Sequence, residues 1–268
     1  TMKASEAAEK TLTSGEVSWG GPLRVMKALD GNPAGGYVAF CEVVQRDPFF
    51  LLGRAPNTRF TPADLAGKRV AVVSEVPTPW ICLQYDLKRA GIDPGSVRCT
   101  PAGTMAENAA TLRAGEVDVI QVFQPYAREL IDSRTGHIWY AAANRGLTTY
   151  TTFNSTRAFI EKHPDVALRM TRAMYRTQKW IAAHDGRALA EAISAYLPDL
   201  PLATLAACCQ DYKALGLWNT QPVMRPEGFQ WLRDAMLAAR YIKTPLQFEQ
   251  CVDLRFAEQV VREDPPSI

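Results

Sequence analysis

A seven-residue pattern that occurs twice is the feature of this sequence that most constrains its fold. The copies are residues 11–17 (TLTSGEV) and 111–117 (TLRAGEV), each after an alanine-rich helical stretch and each leading into a short apolar run. Gly15 and Gly115 stand where a helix C-terminus favours a left-handed residue. The pattern therefore predicts helix, glycine stop and buried strand twice, which indicates two similar α/β lobes. The alternative is that Gly-Glu-Val follows a helix twice by chance.

Around the repeat, apolar runs of strand length alternate with helical patterns, such as 104–114, as far as residue 140. The predicted strands are residues 17–19, 37–43, 49–54, 68–73, 97–99, 117–122 and 137–140. Strands that alternate with helices favour a parallel-type sheet with helices on both faces. A β-rich stretch follows at 149–153, and the rest is helical. Those helices are predicted at 157–162, from Pro164 through Ile181, and at 186–196, 201–214, 226–239 and about 246–262.

Two stretches are predicted to carry the chain between the lobes. Residues 55–62 (APNTRFTP) are polar and contain two prolines, which is typical of a domain boundary. Residues 149–153 are the expected return. We therefore predict lobe I at 1–54 and 152–268 and lobe II at 55–151, with a hinge at the two crossings.

Charge and composition exclude several classes of function. The 268 residues carry a net charge of +2 with no basic or acidic run, so we expect no binding to nucleic acid or to an anionic membrane. No apolar stretch reaches the length of about 18 residues that a transmembrane helix needs. The first residues show no signal-peptide pattern, so we expect either that the mature chain begins downstream of one or that residues ahead of it are missing. The six cysteines lack metal-ligand spacing and are expected to be mostly small buried hydrophobic residues, with a disulfide in an oxidising compartment left open.

Five short segments, in this order and spacing, carry a resemblance to a known family. They are residues 14–22 (SGEVSWGGP), 45–51 (QRDPFFL), 64–72 (DLAGKRVAV), 114–119 (AGEVDV) and 123–125 (FQP). The chain resembles the solute-binding proteins of ABC importers, in the group that includes nitrate, sulfonate, riboflavin and thiamine-pyrimidine binders. The resemblance covers residues 5–185 well and the C-terminal helices loosely.

The resemblance implies a two-lobed, periplasmic-binding-protein-like (type II) α/β fold with a hinge and a helical C-terminal part. It also implies a small-molecule solute and the membrane subunits of an ABC permease as partners, and a periplasmic or extracytoplasmic location. We expect a monomer. Members of this group usually begin with a strand and a helix ahead of the first Gly-Glu-Val. Because this sequence shows neither, we expect either that this segment is absent from it or that lobe I has one strand fewer.

Four loops are the candidate ligand-binding elements. In open α/β sheets, ligands lie beyond the carboxyl ends of strands, where helix N-termini offer N–H groups. The loops are residues 18–22, 41–42, 74–80 and 123–126, two from each predicted lobe. The predicted ligand-binding residues are Trp19, Gly20, Gly21, Pro22, Glu42, Glu75, Pro77, Thr78, Trp80, Gln121, Gln124, Tyr126 and Tyr150. The alternative is that the Gly-Gly-Pro and Pro-Thr-Pro pieces are only turn chemistry.

Rings and amides near these loops predict the kind of solute. The aromatic residues are Trp19, Phe40, Trp80, Phe123, Tyr126, Tyr150 and Phe153. Rings at strand ends are often core, but several facing a cleft would stack on a flat heteroaromatic solute. The polar residues suited to ring nitrogens are Glu42, Glu75, Gln121 and Gln124. No arginine lies in the loops, although Arg24 follows one turn later, which disfavours nitrate or a sulfonate and favours a pyrimidine or flavin-like solute.

The sequence predicts no catalytic residue, no metal site and no cofactor. The three histidines, His137, His163 and His184, lie outside the four loops, and no catalytic or metal-binding motif is present. Enzymes also resemble this scaffold. Pyrimidine-synthase relatives carry a cysteine-rich metal motif that is not found here, and a chorismate-dehydratase-like enzyme needs a cleft carboxylate, for which Glu42 could serve. An enzyme on this fold and a sulfonate or nitrate binder stay the alternatives.

Overall fold

The computed structural model describes residues 17–32, 34 and 36–268. The alanine-rich helical stretch predicted ahead of the first repeat copy, and the glycine stop predicted at Gly15, lie outside the described residues. Contacts between Cα atoms divide the chain into two compact units. Unit 1 comprises the described residues up to Asp47, Gly146–Asp185 and Gly216–Ile268, and unit 2 comprises Pro48–Arg145 and Gly186–Leu215.

Unit 1 contains a three-stranded antiparallel sheet. Its strands are β1 (Ser18–Gly20), β2 (Tyr37–Val44) and β8 (Thr151–Thr156), in the order β1-β8-β2. Its helices are α1 (Pro22–Leu29), α5 (Arg157–Lys162), α6 (Pro164–Ala183), α9 (Pro226–Ala238), α10 (Phe248–Cys251) and α11 (Arg255–Glu263). Phe40 of β2 meets Phe256 of α11 edge-on, with ring centroids 6.0 Å apart. This contact joins the sheet to the C-terminal helices.

Unit 2 contains a five-stranded mixed sheet. Its strands are β3 (Phe50–Gly53), β4 (Arg69–Ala71), β5 (Arg98–Cys99), β6 (Val119–Val122) and β7 (His137–Ala141), in the order β5-β4-β6-β3-β7. Its helices are α2 (Thr78–Arg89), α3 (Met105–Ala114), α4 (Tyr126–Asp132), α7 (Gly186–Ile193) and α8 (Leu202–Ala214). Short 3-10 turns lie at Pro62–Leu65, Pro94–Ser96, Ala142–Arg145 and Ser194–Tyr196. Leu83 and Leu87 of α2 pack on Leu51, Val70 and Val119 of the sheet.

The predicted parallel sheet is only partly correct. Strand β4 runs parallel to β5 and β6, but β3 is antiparallel to both β6 and β7. The alternation of strands and helices is right. Strand direction depends on which distant strands pair, and helix–strand alternation alone does not specify that pairing.

The chain passes between the units more often than predicted. Residues 186–215, predicted in lobe I, belong to unit 2. Tyr212 of α8 explains the difference, because its ring stacks on Phe50 at 6.2 Å and its hydroxyl donates to Pro48 O at 3.2 Å. These contacts attach the α7–α8 hairpin to the start of β3.

Local chemistry defines the predicted helix at 104–114. Thr104 and Glu107 form a capping box in which Thr104 N donates to Glu107 Oε2 at 2.7 Å. Gly115 ends the helix in the left-handed region, at φ 78°, and its N–H donates to Leu112 O. The glycine stop predicted for the second copy of the repeat is therefore confirmed.

The helix predicted over about 246–262 is wrong as a single element. It is two helices, α10 and α11, separated at residues 252–254. Val252 forms a parallel bridge to Ala39 of β2, and Asp253 N donates to Ala39 O at 2.9 Å. The backbone leaves the helix because these groups pair with a strand more than 200 residues away in the sequence.

The packing of α7 on α8 makes Gly186 a sensitive position. A Cβ atom at Gly186 would lie 2.5 Å from Ala206 O and 2.6 Å from Gln210 N, both backbone atoms of α8. We expect Gly186→Ala to push the helices apart and to lower the free energy of unfolding by about 2 kcal/mol. Urea denaturation followed by circular dichroism measures this. Gly95→Ala in an exposed turn is the control, with an expected change below about 0.5 kcal/mol. Equal midpoints for the two variants would contradict the prediction.

Candidate functional site

In unit 1, the loop of residues 20–22 is held against strand β8. Gly20 O accepts a hydrogen bond from Asn154 Nδ2 at 3.0 Å. A Cβ atom at Gly21 would lie 3.0 Å from Tyr150 O, so a larger residue would crowd this backbone. Pro22 opens α1 at its first turn. Close backbone packing within unit 1 therefore favours glycine at position 21.

Beside this loop lie one exposed ring and one half-buried cation. Trp19 of β1 is 67% exposed. The Nε of Arg24 would lie 3.3 Å from a Cβ atom placed on Gly20. Burial lowers the pKa of the Arg24 guanidinium from its ordinary value. The structure therefore places the Arg24 guanidinium beside the loop, although the residue itself lies in the first turn of α1, as predicted.

Glu42 is enclosed in unit 1. Its side chain is 2% exposed, and Oε2 accepts from Asn219 Nδ2. Its backbone N donates to Pro222 O and its backbone O accepts from Gln178 Nε2, both at 2.8 Å. Burial raises the pKa of Glu42 to about 7, while hydrogen bonds from Asn219 and Thr149 and the charge of Arg225 oppose the rise. Glu42 therefore joins β2 to the segment around residues 217–224.

Gln178 was not predicted as a site residue. It is buried on α6, and its Oε1 has no hydrogen-bond partner within the described residues. The sequence carried a weak signal, because Gln178 continues the buried stripe of Ala167, Thr171 and Tyr175 at helical spacing. A polar residue in such a stripe needs a partner.

In unit 2, Glu75 caps a helix. Its Oε1 accepts from Met105 N, the first residue of α3, at 2.9 Å. A carboxylate in this position is stabilised by the positive end of the helix dipole. Glu75 is exposed, so solvent still reaches it.

The first turn of α2 offers a mixed set of polar groups. Pro77 and Pro79 have no N–H, which leaves Thr78 and Trp80 as the backbone donors without a partner in the described part of the chain. Gln121 of β6 lies beneath this turn, 3% exposed, and its Nε2 donates to Pro79 O at 3.0 Å. Its Oε1 has no hydrogen-bond partner among the described residues. The Pro79 carbonyl determines the amide orientation, because a flipped amide would place two oxygens together.

Gln124 forms its hydrogen bonds within unit 2. Its Nε2 donates to Asp211 Oδ2 at 3.1 Å, and its Oε1 accepts from Arg128 N at 2.9 Å. Its backbone N donates to the Tyr212 hydroxyl at 2.9 Å. The side chain predicted to contact a ring nitrogen therefore holds α4 and α8 together. Tyr126, the first residue of α4, is half-buried.

Most of the predicted stacking rings pack within their own unit. Phe123 meets Phe49 edge-on at 5.0 Å, and Phe153 lies 6.1 Å from Phe40. Trp80 packs against the core of unit 2. Trp19 is exposed, and Tyr126 and Tyr150 are half-buried. Each unit holds two of the four predicted loops.

Neither a metal-binding cluster nor a membrane-spanning helix occurs in the described residues. These residues contain no group of three or more His, Cys, Asp or Glu side chains that could hold a metal ion. None of the helices described is long and apolar enough to cross a membrane. All six cysteines are free thiols, five buried and Cys99 exposed.

Comparison with protein families decides which group the chain belongs to. The model of the NMT1-like family matches residues 55–195, which is more than half of the 268 residues. The chain belongs to the NMT1-like family. The resemblance to this group is thereby confirmed, and the mixed α/β architecture described above confirms the predicted fold class.

Proteins similar to this NMT1-like chain in sequence or in fold include binding proteins and an enzyme. Binding protein YtlA of Bacillus subtilis (strain 168) is 24% identical over 228 residues, which cover 84% of this chain and 68% of YtlA. The alkanesulfonate-binding protein SsuA of Xanthomonas axonopodis pv. citri, solved bound to MOPS, has a TM-score of 0.70 at 18% identity, covering 93% of this chain and 84% of SsuA. The desulfurization enzyme DszB has a TM-score of 0.68 at 13% identity, covering 95% of this chain and 88% of DszB. At these identities the two structures show that the fold is shared.

Proposed function

We propose that this NMT1-like chain is the solute-binding component of an ABC import system. It works outside the cytoplasm as a monomer, with a small solute and the membrane subunits of a permease as partners. The observation that carries the proposal is the match over 84% of the chain to YtlA, a relative named as a binding protein. The fold shared with SsuA over 93% of the chain is consistent with the same class. The closing of two lobes on the solute stays a prediction, which small-angle X-ray scattering checks because closure lowers the radius of gyration.

The solute we propose is flat and heteroaromatic, with hydrogen-bond donors as well as acceptors. Support comes from the first turn of α2, where the N–H groups of Thr78 and Trp80 are donors and Gln121 Oε1 is a buried acceptor. A sulfonate or nitrate has only acceptor oxygens, so it would leave the Gln121 oxygen unpaired. The edge of a pyrimidine or a flavin carries both kinds of group. Trp19 is an exposed ring available for stacking.

A sulfonate is the second candidate solute, and Arg24 favours it. This half-buried guanidinium lies beside the Gly20 backbone at the start of α1. Guanidinium groups bind sulfonate-like oxyanions through charge-assisted hydrogen bonds. The two candidates therefore depend on different residues, Gln121 in unit 2 and Arg24 in unit 1.

Calorimetric titration with a small panel separates the candidates. The panel contains hydroxymethylpyrimidine, riboflavin, ethanesulfonate, MOPS and nitrate. We expect a pyrimidine or flavin to bind, and Gln121→Leu to weaken that binding about tenfold, since one lost hydrogen bond corresponds to about 1.4 kcal/mol. Gln230→Leu, on the exposed face of α9, is the matched control and is expected to bind as the unchanged chain does. Binding of the sulfonates alone, abolished by Arg24→Gln, would replace the heteroaromatic proposal with the second candidate.

The same mixtures test whether the chain is an enzyme. DszB shares the fold, so the fold does not separate a binder from an enzyme. We expect mass spectrometry to recover the bound solute unchanged after prolonged incubation. Conversion of the solute that scales with protein concentration would show catalysis and contradict the proposed function.

A further inference from the structure

Unit 2 contains a pocket that lies outside the four predicted loops. Its volume is about 390 Å³, and it opens between the second half of α2, strand β7 and the segment after β3. Phe60 and Tyr140 form an aromatic wall with ring centroids 5.7 Å apart and planes inclined at 33°. Leu83 of α2 adds an apolar surface. This size and lining suit a small planar molecule.

The charged side chains that line the pocket carry a net positive charge. Arg145 and Asp86 form a buried ion pair, with the Arg145 guanidinium 5.9 Å from the centre of the Tyr140 ring. Arg89 lines the pocket from the last turn of α2, and it forms no ion pair within the residues described. Two cations and one carboxylate leave one positive charge, carried at the exposed Arg89.

We propose that this pocket is a second small-molecule site, for a planar aromatic carboxylate. The ring of the ligand lies against Phe60 and Tyr140, where offset stacking and apolar burial contribute. Its carboxylate faces Arg89, which supplies the charge that the Arg145–Asp86 pair does not offset. A neutral ring would lose the contact with Arg89, and a non-aromatic carboxylate would lose the stacking.

The proposal does not depend on the importer function. All the lining residues belong to unit 2, and none is among the residues predicted for the transported solute. If no pyrimidine or sulfonate binds, the proposal for the pocket is therefore not contradicted. If the pocket binds no probe, the proposed importer function is not contradicted.

Nuclear magnetic resonance of the whole 15N-labelled chain tests the pocket, with 1-naphthoate as the probe. We expect saturable shifts of amides around Leu83, Arg89 and Tyr140. 1-Naphthamide tests the charge and cyclohexanecarboxylate tests the ring, and both are expected to bind at least about threefold more weakly. Shifts centred elsewhere, or naphthamide binding as tightly as naphthoate, would overturn the proposal.

Two variants locate the contacts. Arg89→Gln is expected to weaken naphthoate binding about fourfold, the scale of an exposed ion pair. Arg113→Gln on exposed α3 is the matched control, because Arg113 carries the same charge and lies outside the pocket. Phe60→Leu keeps an apolar wall and is expected to weaken binding about fivefold through lost stacking. Equal affinities for Arg89→Gln and Arg113→Gln would overturn the assignment of the carboxylate to Arg89.

Discussion

Replacing Asp86 with asparagine is expected to lower the free energy of unfolding of unit 2 by about 3 kcal/mol, because it removes the carboxylate of a buried ion pair together with two charge-assisted hydrogen bonds from Arg145. The Arg145 side chain is 5% exposed and that of Asp86 is 15% exposed. Arg145 directs both Nε, at 3.0 Å, and Nη2 to the same carboxylate oxygen, Asp86 Oδ2. The pair connects α2 to the turn after β7.

The measurement should follow unit 2 by itself, since a chain with two units need not unfold in one step. Native-state hydrogen exchange of the α2 amides reports the opening of this unit. Asp165→Asn is the matched control, because Asp165 pairs with Arg169 on the exposed face of α6. Its expected effect is below about 1 kcal/mol, as for most exposed ion pairs. Equal losses in the two variants would show that burial of the Asp86–Arg145 pair has no energetic consequence.

The second large effect is a loss of stability between about pH 4.5 and about pH 7, caused by Glu42. Burial raises the pKa of its carboxyl from the ordinary 4.5 to about 7. The folded chain therefore binds the Glu42 proton more tightly than the unfolded chain does, and over this range it holds more protons. The contribution of Glu42 to the free energy of unfolding is at its maximum below about pH 4.5, and it falls as the pH rises to about 7. Each pKa unit corresponds to about 1.4 kcal/mol. Because the pKa of Glu42 rises from 4.5 to about 7, the expected loss in the free energy of unfolding is about 3 kcal/mol.

Comparison of the unchanged chain with Glu42→Gln isolates this effect. The glutamine does not titrate, so its free energy of unfolding, measured in urea from pH 4 to pH 8, is expected to lack the fall. Glu161→Gln, on the exposed surface of α5, is the control and is expected to keep the fall. Parallel pH curves for the unchanged chain and Glu42→Gln would contradict the prediction.

Glu42 also shows why a site is harder to predict than a helix. Its position at the end of a strand suggested a polar contact for a solute, and the strand itself is present as β2. Its actual partners are Asn219, Gln178 and Pro222, which lie more than 130 residues away in the sequence. Gln124 is a similar case, since Asp211 and Tyr212 of α8 take up its hydrogen bonds. A polar side chain is available to a solute only when no distant segment already binds it.

Arg24 and Gln121 differ in how well the sequence identified them. Gln121 was predicted as a site residue, and the structure adds that its oxygen lacks a partner among the described residues. Arg24 was noted only as one turn beyond the loop, and the structure places its side chain beside Gly20. Gly20 ends β1 and Arg24 lies in the first turn of α1, so this proximity depends on the turn between the two elements and not on helical spacing.

The sequence by itself determined most of the helices and strands and the family of this chain. Thr104, Glu107 and Gly115 make hydrogen bonds that close within a few residues, so the ends of α3 follow from local chemistry. Only the tertiary structure decided the antiparallel course of β3, the break between α10 and α11 at Val252, and the enclosure of Glu42. Each of these rests on pairing between segments far apart in the chain. This pairing depends on which surfaces are buried together in the folded chain, and a local sequence pattern does not specify it.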